Sequence, residues 1–315
     1  MLAVLNRRQL LKRAAQVVGW GAAAAAFPLG TIRGEDAKEP SRFQYAFCNE
    51  SFEGRPFDKM FGFLAECGYQ AVEIAPSTIG GGNVADVSAA RRAEIRRLAE
   101  KAGLKVVGLH WLLAKTTGCH LTSRDATIRR NTIAYLSELA KFCADLGGKI
   151  MVLGSPQQRN LPPGVGRDDG MKYAAEVISA VAPVLKECGV VLALEPLGAS
   201  ETNFLNTAGE AVQLMKLVNS PQCRLHLDCK AMAGEPTPIP DLIRRHRADF
   251  VHFHANDPNR QGPGFGKLDF VPILKTLREV GYRGWVSVEP TDFSAGPERA
   301  ARESIKYLRR CEQRI

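Results

Sequence analysis

Residues Phe250-Val251-His252-Phe253-His254-Ala255-Asn256-Asp257-Pro258-Asn259-Arg260 make an apolar run that ends in a histidine and breaks into a polar, glycine-rich loop. That is how a barrel strand delivers a ligand to an active site. Three other short apolar runs end likewise: Val190-Val191-Leu192-Ala193-Leu194 at Glu195, Arg224-Leu225-His226-Leu227 at Asp228, and Trp285-Val286-Ser287-Val288 at Glu289. Along the chain Glu195, Asp228, His254 and Glu289 stand 33, 26 and 35 residues apart. A (β/α)8 barrel of about 250 residues repeats its strand and helix roughly every 31 residues and gathers its chemistry at the C-terminal strand ends. The spacing therefore places the four side chains on one rim, on consecutive strands. Two glutamates, an aspartate and an imidazole form an oxygen-rich site with one nitrogen, suited to Mn or Mg and acceptable to Co, Fe or Zn.

Upstream the same unit recurs four times. Phe43 to Cys48 reads as a strand and Phe57 to Cys67 as an amphipathic helix, which Gly68 stops. Ala71 to Ile74 precedes a helix over Ser88–Ala102, Val106 to His110 one over Asp125–Leu146, and Ile150 to Leu153 a long loop and a helix over Met171–Cys188. Eight short strands alternating with amphipathic helices predict a parallel sheet, and eight units favour closure into a (β/α)8 TIM barrel of the α/β class. No linker interrupts residues 41–315, which read as one domain.

Hydrophobic content of 45% and charge of 24% describe an ordinary globular chain. The net charge of +9 is no nucleic-acid platform: six Lys or Arg against three Asp or Glu lie in residues 1–40, and the other basic residues sit on predicted helices without interleaved aromatics. Residues 1–40 read as a signal segment and short linker. Asn6-Arg7-Arg8-Gln9-Leu10-Leu11-Lys12 resembles a twin-arginine export signal, with Ala14 to Gly30 as its weakly hydrophobic core. This predicts a periplasmic protein with no membrane insertion once the signal is removed. The eight cysteines show no CxxC pair, and no disulfide is expected.

The four rim residues and their surroundings, Leu194-Glu195-Pro196-Leu197, Leu227-Asp228, His252-Phe253-His254 and Val288-Glu289-Pro290, resemble the xylose isomerase-like barrels, and among them the ketose 3-epimerases. The resemblance covers nearly all of residues 41–315 and implies one bound divalent cation held by Glu195, Asp228, His254 and Glu289. It also implies substrate contacts at Glu201, six residues after Glu195, and at Arg260, six after His254. Those epimerases carry a substrate-contacting histidine three residues after the aspartate ligand. Here that place is Ala231, and the neighbouring Lys230 offers a different cation to the pocket. The apurinic-site endonuclease branch needs many more rim His and Asp for its three zinc ions than six histidines supply.

Strand alternation adds that His252, two before His254, and His226, two before Asp228, face inward one layer below the cation. Either they hold a ligand in orientation or they are bonded core histidines. His110, beside Trp111 at the end of the third strand, reads either as a substrate-contacting residue or as a satisfied rim histidine; His120 and His246 read as peripheral. The Gly154–Asn160 loop could cover the mouth, and Arg159 and Arg260 could meet a phosphate or neutral hydroxyls. Gly264 and Gly266 suggest a phosphate cradle only weakly.

The expected chemistry is proton transfer next to the carbonyl of a sugar or keto-sugar. The cation stabilises an enediolate while Glu195 and Glu289, on opposite substrate faces, act as the acid/base pair. That describes an isomerase or epimerase. The same ligands would serve a lyase or dehydratase acting on a keto-sugar or 3-keto-glycoside, and a non-catalytic sugar-binding barrel could keep the metal for stability. A homo-oligomer is compatible with all three.

Overall fold

A computed structural model describes residues 43–80 and 84–315. The twin-arginine reading lies outside the described residues. Eight strands, β1 (Gln44–Cys48), β2 (Ala71–Ile74), β3 (Lys105–Leu109), β4 (Ile150–Leu153), β5 (Val191–Leu194), β6 (Cys223–Asp228), β7 (Phe250–Ala255) and β8 (Trp285–Val288), close in sequence order into a barrel. All pairs are parallel, and β8 closes on β1 through Gln44 opposite Trp285. The TIM barrel read from the sequence is the fold observed.

Helices α1 (Phe57–Cys67), α2 (Ala89–Lys101), α3 (Ala126–Asp145), α4 (Arg167–Cys188) and α5 (Ala208–Val218) follow the first five strands. The short α6 (Cys229–Met232) and α7 (Ile239–Arg245) share the space after β6, and α8 (Phe270–Glu279) and α9 (Pro297–Glu312) follow β7 and β8. Side chains supply several of their N-terminal caps: Ser88, Asp125, Thr207 and Asp269 each accept a backbone N–H of the following turn. On α1, Phe57, Met60, Phe61 and Leu64 bury one stripe against the sheet. Helix α4 begins four residues before the expected Met171, because Gly170 does not break it: a Cβ there would strike Leu161, so the glycine permits close packing inside the helix.

The outward strand residues, such as Phe47 and Val72, join the layer under the helices. Inside the barrel the lowest layer is small, formed by Ala46, Ala71 and Val107 with Ile150 and Trp285 against them. A cavity of about 500 Å³ lies at this end, lined by Gln44, Lys105, Lys149 and Trp285 among others, away from the predicted rim. The middle layer departs from the usual branched aliphatic filling of such barrels. Glu73, His226, His252 and Ser287 occupy it, all fully buried. A polar barrel core of this kind needs internal partners, and those partners lead to the site.

Candidate metal centre and substrate rim

Register builds the centre. Strands β6 and β7 pair His226 with His252 and Asp228 with His254, while β7 and β8 set His254 opposite Ser287, so that Glu289 follows one inward step higher. The structure brings all four predicted ligands to this rim. His254 Nδ1 lies 3.2 Å from Glu289 Oε2 and 3.8 Å from Glu195 Oε1. Glu195, His226, Asp228 and His254 each offer an atom within 4.8 Å of the others. Glu289 reaches the cluster through His254 and through Asn256, whose Nδ2 lies 3.4 Å from Glu289 Oε2.

Each ligand is held by its neighbours. Asp228 ends β6 and caps α6, so Ala231 N donates to its Oδ1 at 2.7 Å, while Asn256 Nδ2 donates to its Oδ2 at 2.6 Å. Glu195 depends on Gly154 at the end of β4, where a Cβ would sit 2.1 Å from Glu195 Oε2. Replacing Gly154 by Ala is expected to push that carboxylate off its position and lower turnover by about 10²-fold. An unchanged rate in a folded Gly154→Ala protein would separate Glu195 from the chemistry.

The histidines are oriented from below by Glu73, which lies in the middle of β2. His252 Nε2 is 2.7 Å from Glu73 Oε2 and His254 Nε2 is 3.1 Å from Glu73 Oε1. Burial would raise the Glu73 carboxyl, but the two imidazoles outweigh it and hold the group well below its ordinary range. A proton on His254 Nε2, directed at Glu73, leaves Nδ1 free to face the carboxylates above. His254 Nδ1 makes no hydrogen bond although it is buried.

The carboxylates around it crowd one another. Burial, then the neighbouring Glu289 and Asp228, push Glu195 well above the usual carboxylate range. Burial also raises Asp228, against the pull of Lys230. Glu289 is the exception: burial opposes its ionisation, but His254 beside it lowers it overall. A buried group of acids that cannot all ionise together, facing an imidazole nitrogen without a partner, is the electrostatic complement of a cation. The donor set suits a divalent ion.

The other expected site residues divide. Lys230 Nζ pairs with Glu201 Oε1 at 2.6 Å on the rim. Burial would lower the lysine, but Asp228 and Glu201 raise it, so it stands as a cation beside the acids. His110 is fully buried, its Nε2 2.6 Å from Glu50 Oε2, an acid at the end of β1 that sequence reading did not single out. Arg260 is exposed, with φ at +70° and Nε 3.4 Å from Thr291 Oγ1, and does not join the cluster.

Two loop readings need correction. Arg159 is not at the mouth: it is 1% exposed and donates Nη1 to the Glu195 carbonyl at 2.6 Å, with Nη2 on Leu205 O. Burial lowers its guanidinium to about 10. The loop after β4 turns inward at Ser155, where φ is +46°, and the arginine wedges the β5 end from behind. No phosphate cradle forms at Gly266, because Asp257 already accepts its N–H at 3.2 Å.

Sequence reasoning missed Glu73, Asn256, Glu50 and the role of Gly154, and misplaced Arg159. Glu73, Asn256 and Gly154 lie on the inward phase of β2, β7 and β4, the same alternation that located His226 and His252.

A family model described as a xylose isomerase-like TIM barrel matches residues 61–311. The chain belongs to that family. It is 27% identical over 248 residues to a D-psicose 3-epimerase of Ruminiclostridium cellulolyticum, covering 78% of this chain and 82% of that protein. It is 25% identical over 276 residues to a 3-dehydro-D-guloside 4-epimerase of Escherichia coli, covering 84% and 98%. A solved D-psicose 3-epimerase crystallised in the presence of D-fructose superposes with a TM-score of 0.75 at 23% identity, over 86% of this chain and 99% of that one, a likeness of fold.

Proposed function

We propose that this protein is a sugar isomerase or epimerase that moves a proton beside the carbonyl of a sugar or keto-sugar, using one divalent cation. The observation that carries this reading is the placement of two buried carboxylates, Glu195 and Glu289, at 3.8 and 3.2 Å from one imidazole nitrogen. The epimerase names of its relatives support it. Glu195, Asp228, His254 and Glu289 would hold the ion, manganese being our first choice. Once bound, it would supply Lewis-acid stabilisation of the charge that develops on the substrate carbonyl oxygen.

The chain's own residues supply the rest. Glu289 removes the proton from the carbon next to the carbonyl, and Glu195, on the opposite face of the substrate, delivers one to that face. Two bases on opposite faces invert the carbon. Glu73 keeps His254 in the tautomer that presents Nδ1, and Asn256 holds Asp228 and Glu289 in register.

Lys230, next to Ala231 in the chain, pairs with Glu201 at 2.6 Å. We assign this pair to substrate hydroxyls, and with it His110 and, from the exposed loop, Arg260 as further substrate contacts. Replacing Lys230 by Met is expected to lower kcat/KM by about 10- to 100-fold, the usual worth of a charged hydrogen bond. No change would return Lys230 to a purely structural pairing with Glu201.

The substrate class is tested by incubating the manganese-loaded protein in heavy water with free ketoses, 3-keto-glycosides and inososes, and reading the products by NMR. Deuterium entering one carbon next to the carbonyl, with inversion, is the expected result. Loss of a hydroxyl or aglycone, or no exchange into any sugar, would contradict it.

Export by the twin-arginine route to the periplasm, with residues 1–40 as signal and linker and 41–315 as the barrel, belongs to the same proposal. Changing Arg7 and Arg8 to Lys should retain the protein in the cytoplasm; continued export would contradict the assignment. Among the described residues, no helix is long and apolar enough to cross a membrane.

A further inference from the structure

Within the polar middle layer of the barrel, His226 is the histidine whose bonding is least complete. It is fully buried, and neither Nδ1 nor Nε2 has a hydrogen-bond partner. His252, its neighbour across the sheet, also leaves Nδ1 unpartnered, but its Nε2 is already engaged with Glu73 at 2.7 Å and lies 3.4 Å from Ser287 Oγ. A buried imidazole with two uncommitted nitrogens calls for something that takes one of them, a water or a cation.

The surroundings favour the cation. His226 Nε2 lies 3.8 Å from Glu195 Oε1, and the ring centroid is 4.1 Å from that of His254 at an interplanar angle of 72°. Among the described residues, one of the groups whose donor atoms all approach within 4.8 Å of one another is Glu195, His226, Asp228 and His254, three expected ligands and this histidine. We infer that His226 supplies a second imidazole nitrogen to the divalent cation. The inference rests on the metal-centre reading above and extends it to a residue that reading did not use.

Two nitrogens in place of one move the preference of the site away from magnesium and toward the imidazole-favouring ions Zn, Co and Fe.

Pulsed electron paramagnetic resonance of the full chain loaded with Mn(II) tests this by counting coupled nitrogens. Two imidazole couplings are expected in the natural protein and one in His226→Leu. Titration should show Mn(II) and Zn(II) binding weakened by at least about tenfold in that variant. Melting of the metal-free proteins controls for folding, and His226→Asn is the second variant should the leucine fail to fold. One nitrogen in the natural protein, with full metal affinity in either folded variant, overturns the role of His226 and leaves the metal centre standing. A natural protein that binds no divalent ion overturns both.

Discussion

Glu289→Gln should leave a folded barrel that has lost turnover by about 10²- to 10⁴-fold, the range that a positioned general base contributes. The amide keeps the shape of the carboxylate and can still accept a hydrogen bond, so packing around its buried position changes little. What disappears is the ability to take a proton at the atom 3.2 Å from His254 Nδ1. In the proposed mechanism Glu195 serves the opposite face of the substrate and does not replace it. Deuterium exchange into the sugar should fall with turnover, since both report the same abstraction. A Glu289→Gln protein that exchanges and inverts at the original rate would remove this residue from the chemistry.

The second large effect is on stability. Glu73→Ala removes the single acid that both His252 and His254 face, and it does so in the fully buried middle of the barrel. Truncating one partner of a buried charged pair typically costs about 3–5 kcal/mol, because the groups left behind lose their compensation. A single domain has roughly 5–15 kcal/mol of net stability, so the change should be plain in a denaturant titration. Metal affinity should fall as well, by about 10- to 100-fold, as His254 loses the partner that orients it. Stability within about 0.5 kcal/mol of the natural protein would place the role of Glu73 elsewhere.

How much of this could be read from the chain differs by residue. Glu195, Asp228, His254 and Glu289 stood out because each ends an apolar run, and a barrel of regular period turns such endings into neighbours. The rim was thus legible as a set before any coordinate. Glu73 hid inside Ala71-Val72-Glu73-Ile74, where it reads as a solvated interruption, yet it takes the inward phase between Ala71 and Ala75. Counting by twos along β2 would have found it, as the same count found His252. Gly154 shares the inward phase of β4, but its importance is the space it leaves for Glu195, which the residue type does not announce.

Loops were harder. The Gly154–Asn160 segment reads as a cover, and Arg159 as a contact for phosphate or neutral hydroxyls, because nothing periodic fixes the direction of a loop side chain. A positive φ at Ser155 turns the chain inward and buries the guanidinium behind β5. The start of α4 was misplaced for a similar reason, because Gly170 is indistinguishable in sequence from a helix break until Leu161 is seen against it.

The central claim is that side chains from β5, β6, β7 and the end of β8 share one divalent ion. A crystal of the Mn(II)-loaded protein, measured for anomalous scattering at the manganese edge, tests it most directly. The account predicts one strong peak per chain, about 2.0–2.3 Å from oxygens of Glu195, Asp228 and Glu289 and from Nδ1 of His254. A peak anywhere else, or a bound ion from which any of these four side chains is turned away, would contradict it.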